Sequence, residues 1–417
     1  MRKIYTSIDI GSDTIKFVVG ELLDNNINVL AANTIKSKGI RKGLIFDPNL
    51  AINAIKDGIK EINASLGVHI KKVIVNVPNY NAKFMFVTGS IDITSENEII
   101  TSDDISKVIK NSIYSKLAVD YDLVTVIPAQ YLVDGERVDK PIGKKGKKLE
   151  IKAIMVSVPK KNIYSVLNVV EGAGLEVVEI VLSGLADYYE VRNKSLENKV
   201  GAIINLGHET TNVSIINKGK FINTETIQLG GINIEKDLSY IFNINVFDGR
   251  ILKEKFASSH KRFSQLNDVY EVKNTIGETL KLNQLEVSEV VMSRLKEILE
   301  YAKKQILLLT KQNIGYIIIT GGLTEIKAFK NLAFEIFGKS VIIYSMETLG
   351  VRDNKYITAL GMIKYFCDKM EQRGKEYSML DEVEVINLET PSSNKNKKDN
   401  MIFTKFIENF ITNKEEK

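Results

Sequence analysis

The sequence predicts an α/β fold with a repeated strand-turn-strand unit, and three observations carry that prediction. IDIGSDTIKFVVG, from Ile8 to Gly20, is an apolar run that breaks at a glycine, turns through small polar residues and resumes with alternating apolar and polar positions. That is a strand, a tight turn and a returning strand. INLGHETTNVSI, from Ile204 to Ile215, repeats the pattern about 196 residues later, and ITGGLTEI at 319–326 ends a buried apolar run in a third glycine site. The 417 residues, 44% hydrophobic and 26% charged, suffice for two or more domains with cores of their own.

The elements follow in order. Met1 to Val77 reads as hairpins, a helix from Asn49 to Ser65 and a buried strand, KKVIVNVP, ending at Pro78. Strands and helices then alternate irregularly to about Tyr164, with a polar helix start at Ser102-Asp103-Asp104 and a solvated lysine-glycine loop at 143–148. NIYSVLNVVEGAG is a helix ending at Gly172 or Gly174, followed by the strand LEVVEIV and the helix SGLADYYEV. After the second hairpin, Leu229 to Thr310 reads as mainly helical. From Glu371 helical periodicity is lost and a Ser/Asn/Lys-rich linker begins. It leads to MIFTKFIENFITNK, in which Ile402, Phe403, Phe406, Ile407, Phe410 and Ile411 fall on one side of a helical wheel.

Several function classes are disfavoured by composition. The net charge of +5, with 57 Lys/Arg and 52 Asp/Glu interspersed, gives no basic face for nucleic acid. The single cysteine, Cys367, allows no internal disulfide, and MRKIYTSIDIG enters a strand without a leader-like apolar block, which reads as cytosolic. No window approaches the roughly 18 apolar residues of a membrane span. His69 and His260 have no Cys, Asp or Glu at ligand spacing, so no structural metal is expected.

A glycine-bearing turn exposes backbone N–H groups and Ser/Thr hydroxyls that cradle an anion. One such hairpin is more often plain structure, but three ordered glycine loops can converge on one nucleotide. The ordered set, with a connecting helix at 183–191 and a closing helix TALGMIKYF at 358–366, resembles the actin-like ATPase superfamily over nearly 370 residues. It most closely resembles the FtsA family of that superfamily. Val124 to Pro159 is similar to the family's inserted subdomain 1C, the glycine pair of IQLGGINIEKDLSYIF follows the second loop as in the family, and the tail has the family's linker and amphipathic helix.

The resemblance implies an actin-like ATPase fold with two RNase H-like halves around a nucleotide cleft and a subdomain 1C insertion. Its divisions are 1A at 1–78, 166–199 and 340–370, and 1C at 79–165. Subdomain 2A takes 200–230 and 310–339, 2B 231–309, the linker 371–399 and a membrane-targeting helix 400–414. It implies ATP and Mg2+, with Gly11, Ser12, Asp13 and Lys16 at the phosphates and Asp9 orienting water on the metal. Asn205, Gly207, Thr210 and Thr211 fall on the other side, Gly230 and Gly231 near the sugar, and Gly321, Gly322 and Leu323 beneath the base. Lys253 matches a lysine flanking adenine or ribose, whose usual acidic companion appears here as Arg250.

As partners it implies the C-terminal peptide of FtsZ on 2B, membrane lipids through the tail, self-association into filaments and other division proteins through 1C. The location implied is the cytoplasmic membrane face at the division septum. Where the family usually has an acid in the second loop, Asn205 supplies no charge, and His208 and Glu209 replace small residues, so turnover is expected to be weak or absent. The apolar tail would in other settings be core. After a linker at the chain's end it reads as a membrane anchor. A pilus-assembly adaptor of the same plan is the alternative reading. A metabolic kinase would need a base that Asn205 does not provide, and a chaperone would need more chain than follows residue 370.

Overall fold

The structure is a computed structural model and describes residues 2–389. The expected membrane helix at 400–414, with Ile402, Phe403, Phe406, Ile407, Phe410 and Ile411, lies outside the described residues.

The first half begins with three antiparallel strands, β1 (Ile4–Ile10), β2 (Thr14–Leu23) and β3 (Asn26–Lys36), then a short hairpin, β4 (Ile40–Arg41) and β5 (Leu44–Ile45). Helix α1 (Pro48–Leu66) starts on the Asp47 side chain, which accepts from Leu50 N–H, with proline at its first position. Gly67 ends it at φ +73°. Strand β6 (Lys72–Val77) runs parallel to β1. An insertion follows: β7 (Lys83–Asp92), α2 (Ser102–Ile113), β8 (Tyr121–Val133), β9 (Glu136–Val138) and β10 (Lys148–Pro159) form a sheet in the order β7-β10-β8-β9. Val87, Val108, Ile151 and Met155 give this insertion a small core of its own. Helix α3 (Lys160–Gly172) and β11 (Glu176–Leu182) return to the first sheet, whose order is β11-β6-β1-β2-β3.

Helix α4 (Ser183–Val191) leads to the second half, where β12 (Val200–Leu206), β13 (Thr211–Asn217) and β14 (Lys220–Ile227) repeat the antiparallel meander. Then come α5 (Gly231–Phe242), α6 (Val246–Ile251), a π-helical turn over Leu252–Phe256, the hairpin β15 (Val269–Lys273) and β16 (Thr279–Asn283), and α7 (Gln284–Leu309). Strand β17 (Tyr316–Thr320), α8 (Phe329–Phe337) and β18 (Val341–Ile343) complete a sheet in the order β14-β13-β12-β17-β18. The two sheets share one topology: a three-stranded meander with two parallel strands added beside its first strand. Helix α9 (Ile357–Gln372) packs on the first sheet and α10 (Glu382–Glu389) ends the described chain.

One expectation gains a detail and one needs correction. The stretch 229–310 is mainly helical as expected, and it also holds a hairpin in which VYEVK and TLKLN alternate and pair around a turn at 274–278. The segment from Glu371 is in part packed rather than free. Met379 and Leu380 are buried, Met379 N–H donates to the Ile4 carbonyl at 2.9 Å, and Tyr377 meets Phe366 edge to face. Apolar residues without helical periodicity were read as linker, yet an extended segment buries such residues without needing any period.

Candidate functional site

Both hairpin turns obey one steric rule. A Cβ on Gly11 would lie 2.8 Å from the Thr14 carbonyl oxygen, and a Cβ on Gly207 would lie 2.8 Å from that of Thr210, so each turn closes only on glycine. The register explains the spacing of acid and lysine in the first copy: Asp9 faces Lys16 directly across β1 and β2, and Lys16 Nζ donates to Asp9 at 3.0 Å. At the matching place in β12 and β13, Asn205 faces Asn212. The charged cross-strand pair of one half is therefore neutral in the other.

The two turns line a cleft of about 500 Å³ between the halves. Asp9, Gly11, Ser12, Asp13 and Lys16 line it from one side, and Asn205, Gly207, Thr210, Gly231, Lys253, Gly321, Gly322 and Leu323 from the other. Two expected residues do not. Thr211 is buried, with its hydroxyl donating to the Leu229 carbonyl at 2.9 Å. Gly230 is packed against the second turn, where a Cβ would lie 2.6 Å from the Gly207 carbonyl oxygen. The N–H groups of Gly231 and Ile232 donate to the carbonyls of Gly207 and His208, so the first amides of α5 hold the turn and are not free for an anion.

Glu209 reaches across the cleft and accepts from the Lys42 backbone N–H, which carries its charge away from the turn. His208 Nε2 lies 3.3 Å from Glu235, while its Nδ1 is buried without a hydrogen-bond partner among the described residues. Lys253, placed by the π-helical turn, is buried on Glu235 at 2.5 Å. Burial opposes the ionisation of Glu235, but His208 and Lys253 outweigh it and hold this carboxyl below its usual range.

Besides Glu235, Glu254 lies 3.5 Å from Lys253 Nζ and lines the cleft, so Lys253 has acidic company although Arg250 stands where the resemblance implies an acid. Arg250 instead forks onto Asp13 of the first turn, Nη1 to Oδ1 at 2.9 Å and Nη2 to Oδ2 at 2.5 Å. Lys36 also donates to Asp13. Burial alone would raise the Asp13 pKa, yet the hydrogen bonds from Arg250 and Lys36 hold it far below the carboxylate range. Lys16, Arg250 and Lys253 are thus already paired with the protein's own acids, Asp9, Asp13 and Glu235.

Asp187 went unnoticed in the sequence. It is fully buried on α4, accepts from Asn205 Nδ2 at 2.8 Å and from the Thr358 hydroxyl at 2.7 Å, and is pushed up to about 7 by burial against those two bonds. The available signal was a pair of carboxylates, Asp187 and Glu190, inside a short helix with almost no exposed face. Because the folded protein holds the Asp187 proton more tightly than the unfolded chain does, this group's contribution to stability is greatest below about pH 4 and is lost as pH rises towards 7. Asp187→Asn is expected to remove up to about 1.4 kcal/mol per pH unit of that slope. Urea unfolding at pH 5, 6, 7 and 8 checks this; equal slopes for the two proteins would refute it.

The comparisons with known proteins agree with this architecture. The family model "Cell division protein FtsA" matches residues 202–361, and "SHS2 domain inserted in FTSA" matches 81–157, within the inserted sheet. The cell division protein FtsA of Bacillus subtilis is 27% identical over 379 residues, covering 90% of this chain and 86% of its own length. That of Streptococcus pneumoniae is 28% identical over 369 residues, 87% of this chain and 79% of its own. Among solved structures, the PilM-PilN type IV pilus biogenesis complex aligns with a TM-score of 0.58 at 12% identity, over 87% of this chain and 97% of that one. MreB5 of Spiroplasma citri bound to ADP aligns at 0.54 and 13%, over 89% and 98%. Two halves of one topology around a cleft, with an inserted SHS2 domain, are therefore an actin-like ATPase fold.

Proposed function

This chain belongs to the FtsA family of cell division proteins, and from that premise we propose that it is an ATP-binding adaptor that polymerises on the cytoplasmic membrane face and tethers FtsZ filaments at the septum. The observation that carries the nucleotide part is the pair of glycine turns, sterically alike, that line one cleft from its two halves. That cleft fits a nucleoside triphosphate with its metal: glycine alone closes both turns that line it, Lys16, Arg250 and Lys253 supply positive charge, and Leu323 and Ile326 supply an apolar floor. Asp9 would orient water on Mg2+, while Lys253 and Glu254 would hold the sugar. Bound Mg2+ supplies charge neutralisation at the phosphates. Asn205 hydrogen-bonds but carries no charge to polarise an attacking water, so the cleft favours holding ATP over cleaving it. ATP would then act by stabilising a closed, polymerising shape.

The tether rests on the tail. Its apolar stripe gives one copy a modest membrane affinity, since partial burial discounts the roughly 1.5 to 3 kcal/mol of a fully buried side chain. A filament multiplies it by linking copies. The packed segment before the tail is held to the first half by Glu384 on the His69 N–H at 2.9 Å and by Asp381 near Lys71. FtsZ's C-terminal peptide would bind the region 231–309, and the inserted domain would face neighbouring copies or later division proteins.

Co-sedimentation with anionic vesicles tests this, using the full chain and a variant ending at Asn394, each with purified FtsZ and with or without ATP. The full chain is expected to carry FtsZ to the vesicles and the shortened chain to leave it in solution. Lipid binding without FtsZ would overturn the division role and favour the pilus-type adaptor.

A further inference from the structure

The second loop's missing acid has a counterpart one side chain deeper. Asn205 ends β12 at the cleft, and its amide nitrogen points at Asp187, a fully buried carboxylate. The Asn205 nitrogen donates to Asp187 at 2.8 Å, so the amide oxygen on the same carbon faces away. That oxygen lies against the third loop: a Cβ on Gly321, which sits at φ +96°, would come within 2.6 Å of it. The other Asp187 oxygen takes the Thr358 hydroxyl at 2.7 Å, from the helix that crosses α4. One carboxylate therefore fixes the rotamer of a cleft residue and ties β12 to both helices between the halves.

We propose that Asp187 and Asn205 are an exchanged acid-amide pair, in which Asp187 is the positioning residue that aims the Asn205 oxygen at the third loop and keeps its own charge out of the cleft. The neutral second loop is then not a simple loss. With Asp187 in place, an acid at 205 would put two carboxyl groups at hydrogen-bond distance, the inner one fully buried, and one of them would have to stay protonated. The amide is the one isostere that satisfies Asp187 and still offers an oxygen on its far side. The consequence for a bound nucleotide is that Asp9 alone brings negative charge to the metal from the strand ends, and the second loop adds only a neutral acceptor. This inference rests on the nucleotide reading above.

The test compares the wild-type full chain with Asn205→Asp, Asp187→Asn and the exchanged double variant Asp187→Asn/Asn205→Asp. Two quantities are read: the thermal unfolding midpoint, and the affinity for a fluorescent ATP analogue with Mg2+ and with EDTA. Asn205→Asp is expected to lower the midpoint by several degrees or to prevent folding, and the exchanged variant to recover most of that loss. The exchanged variant is also expected to show a larger Mg2+ effect on affinity than wild type, by roughly 10- to 100-fold, the worth of one charged contact restored to the cleft. Additive losses, with the double variant no more stable than Asn205→Asp, would overturn the pairing. Recovered stability with an unchanged Mg2+ effect would reduce Asp187 to a structural residue and equally overturn the proposal. If wild type binds no nucleotide under either condition, the nucleotide reading fails, and the stability cycle still decides whether the pair is coupled.

Discussion

Gly361→Ala is expected to abolish stable folding or to cost at least about 3 kcal/mol, above most overpacking substitutions. Its Cβ would sit 1.9 Å from the Ala186 carbonyl oxygen and 2.6 Å from the carbonyl carbon. Most glycine substitutions in cores press on the end of a side chain, which rotates away. Here the obstacle is backbone, and α4 has buried residues along nearly its whole length, so neither helix can roll aside. Separating α4 from α9 would also pull Thr358 from Asp187 and leave a buried carboxylate short of a donor, itself costly. Gly322→Ala is the control, because nothing lies within 4 Å of the added carbon and its φ is ordinary. Unfolding followed by circular dichroism should show Gly322→Ala near wild type and Gly361→Ala strongly shifted. A Gly361→Ala protein that melts with wild type would mean that α4 and α9 do not pack as described.

How far the sequence could be read depended on the range of the information. The hairpins were legible because everything that makes them is local: an apolar run, a glycine where a Cβ would strike the carbonyl three residues on, and alternation on the return strand. The helix start at Ser102 was legible for the same reason, since cap and first turn are neighbours in the chain, and the start expected at Asn49 falls one residue after the observed Pro48. The hairpin at Val269–Asn283 was overlooked because its two strands are short and sit between long helical patterns. Asp187 was illegible for a different reason. Its partners stand 18 residues and 171 residues away, on elements that meet only after both halves have formed. Glu254 was overlooked although adjacent to Lys253, because Arg250 drew the comparison; only the π-helical turn brings Lys253 and Glu254 together at the cleft.

The residues the sequence pointed to and those it overlooked divide along a physical line. Loop residues that face the cleft are specified by their own turn. Residues that determine how the halves relate, Asp187 and Arg250, are specified by contacts across the chain and carry charge into places where it must be paired. Such pairs contribute little to stability in surface settings, but here they are enclosed, and breaking one leaves a charge without its partner. That makes them the positions where substitution should alter ligand binding most.

Arg250→Ala and Asp13→Asn are expected to move ATP affinity in opposite directions. The Asp13 carboxylate presents two oxygens to the Arg250 guanidinium in the forked geometry that two phosphate oxygens would present. An arriving phosphate therefore competes with Asp13 for the same donors, and its binding must include the cost of opening that pair. Removing Arg250 takes away the forked donor and leaves Asp13 facing the phosphates with Lys36 and the more distant His208, a loss of roughly 1.5 to 3 kcal/mol or about 10- to 100-fold in affinity. Removing the Asp13 charge releases the forked face of Arg250, still held at Nε by Glu254, together with Lys36, and affinity should rise by about 10-fold. The same substitution has an opposite signature in stability. The folded-state pKa of Asp13 is depressed, so its contribution to stability is present above about pH 4 and is lost as pH falls through the lower folded value. Asp13→Asn should therefore be less stable than wild type at neutral pH, with the gap closing on acidification. Titration calorimetry at two salt concentrations, paired with unfolding at pH 7 and pH 3, measures both effects. If the two variants shift ATP affinity in the same direction, Arg250 and Asp13 do not compete with the nucleotide, and the ion pair is only a clasp between the first turn and the second half.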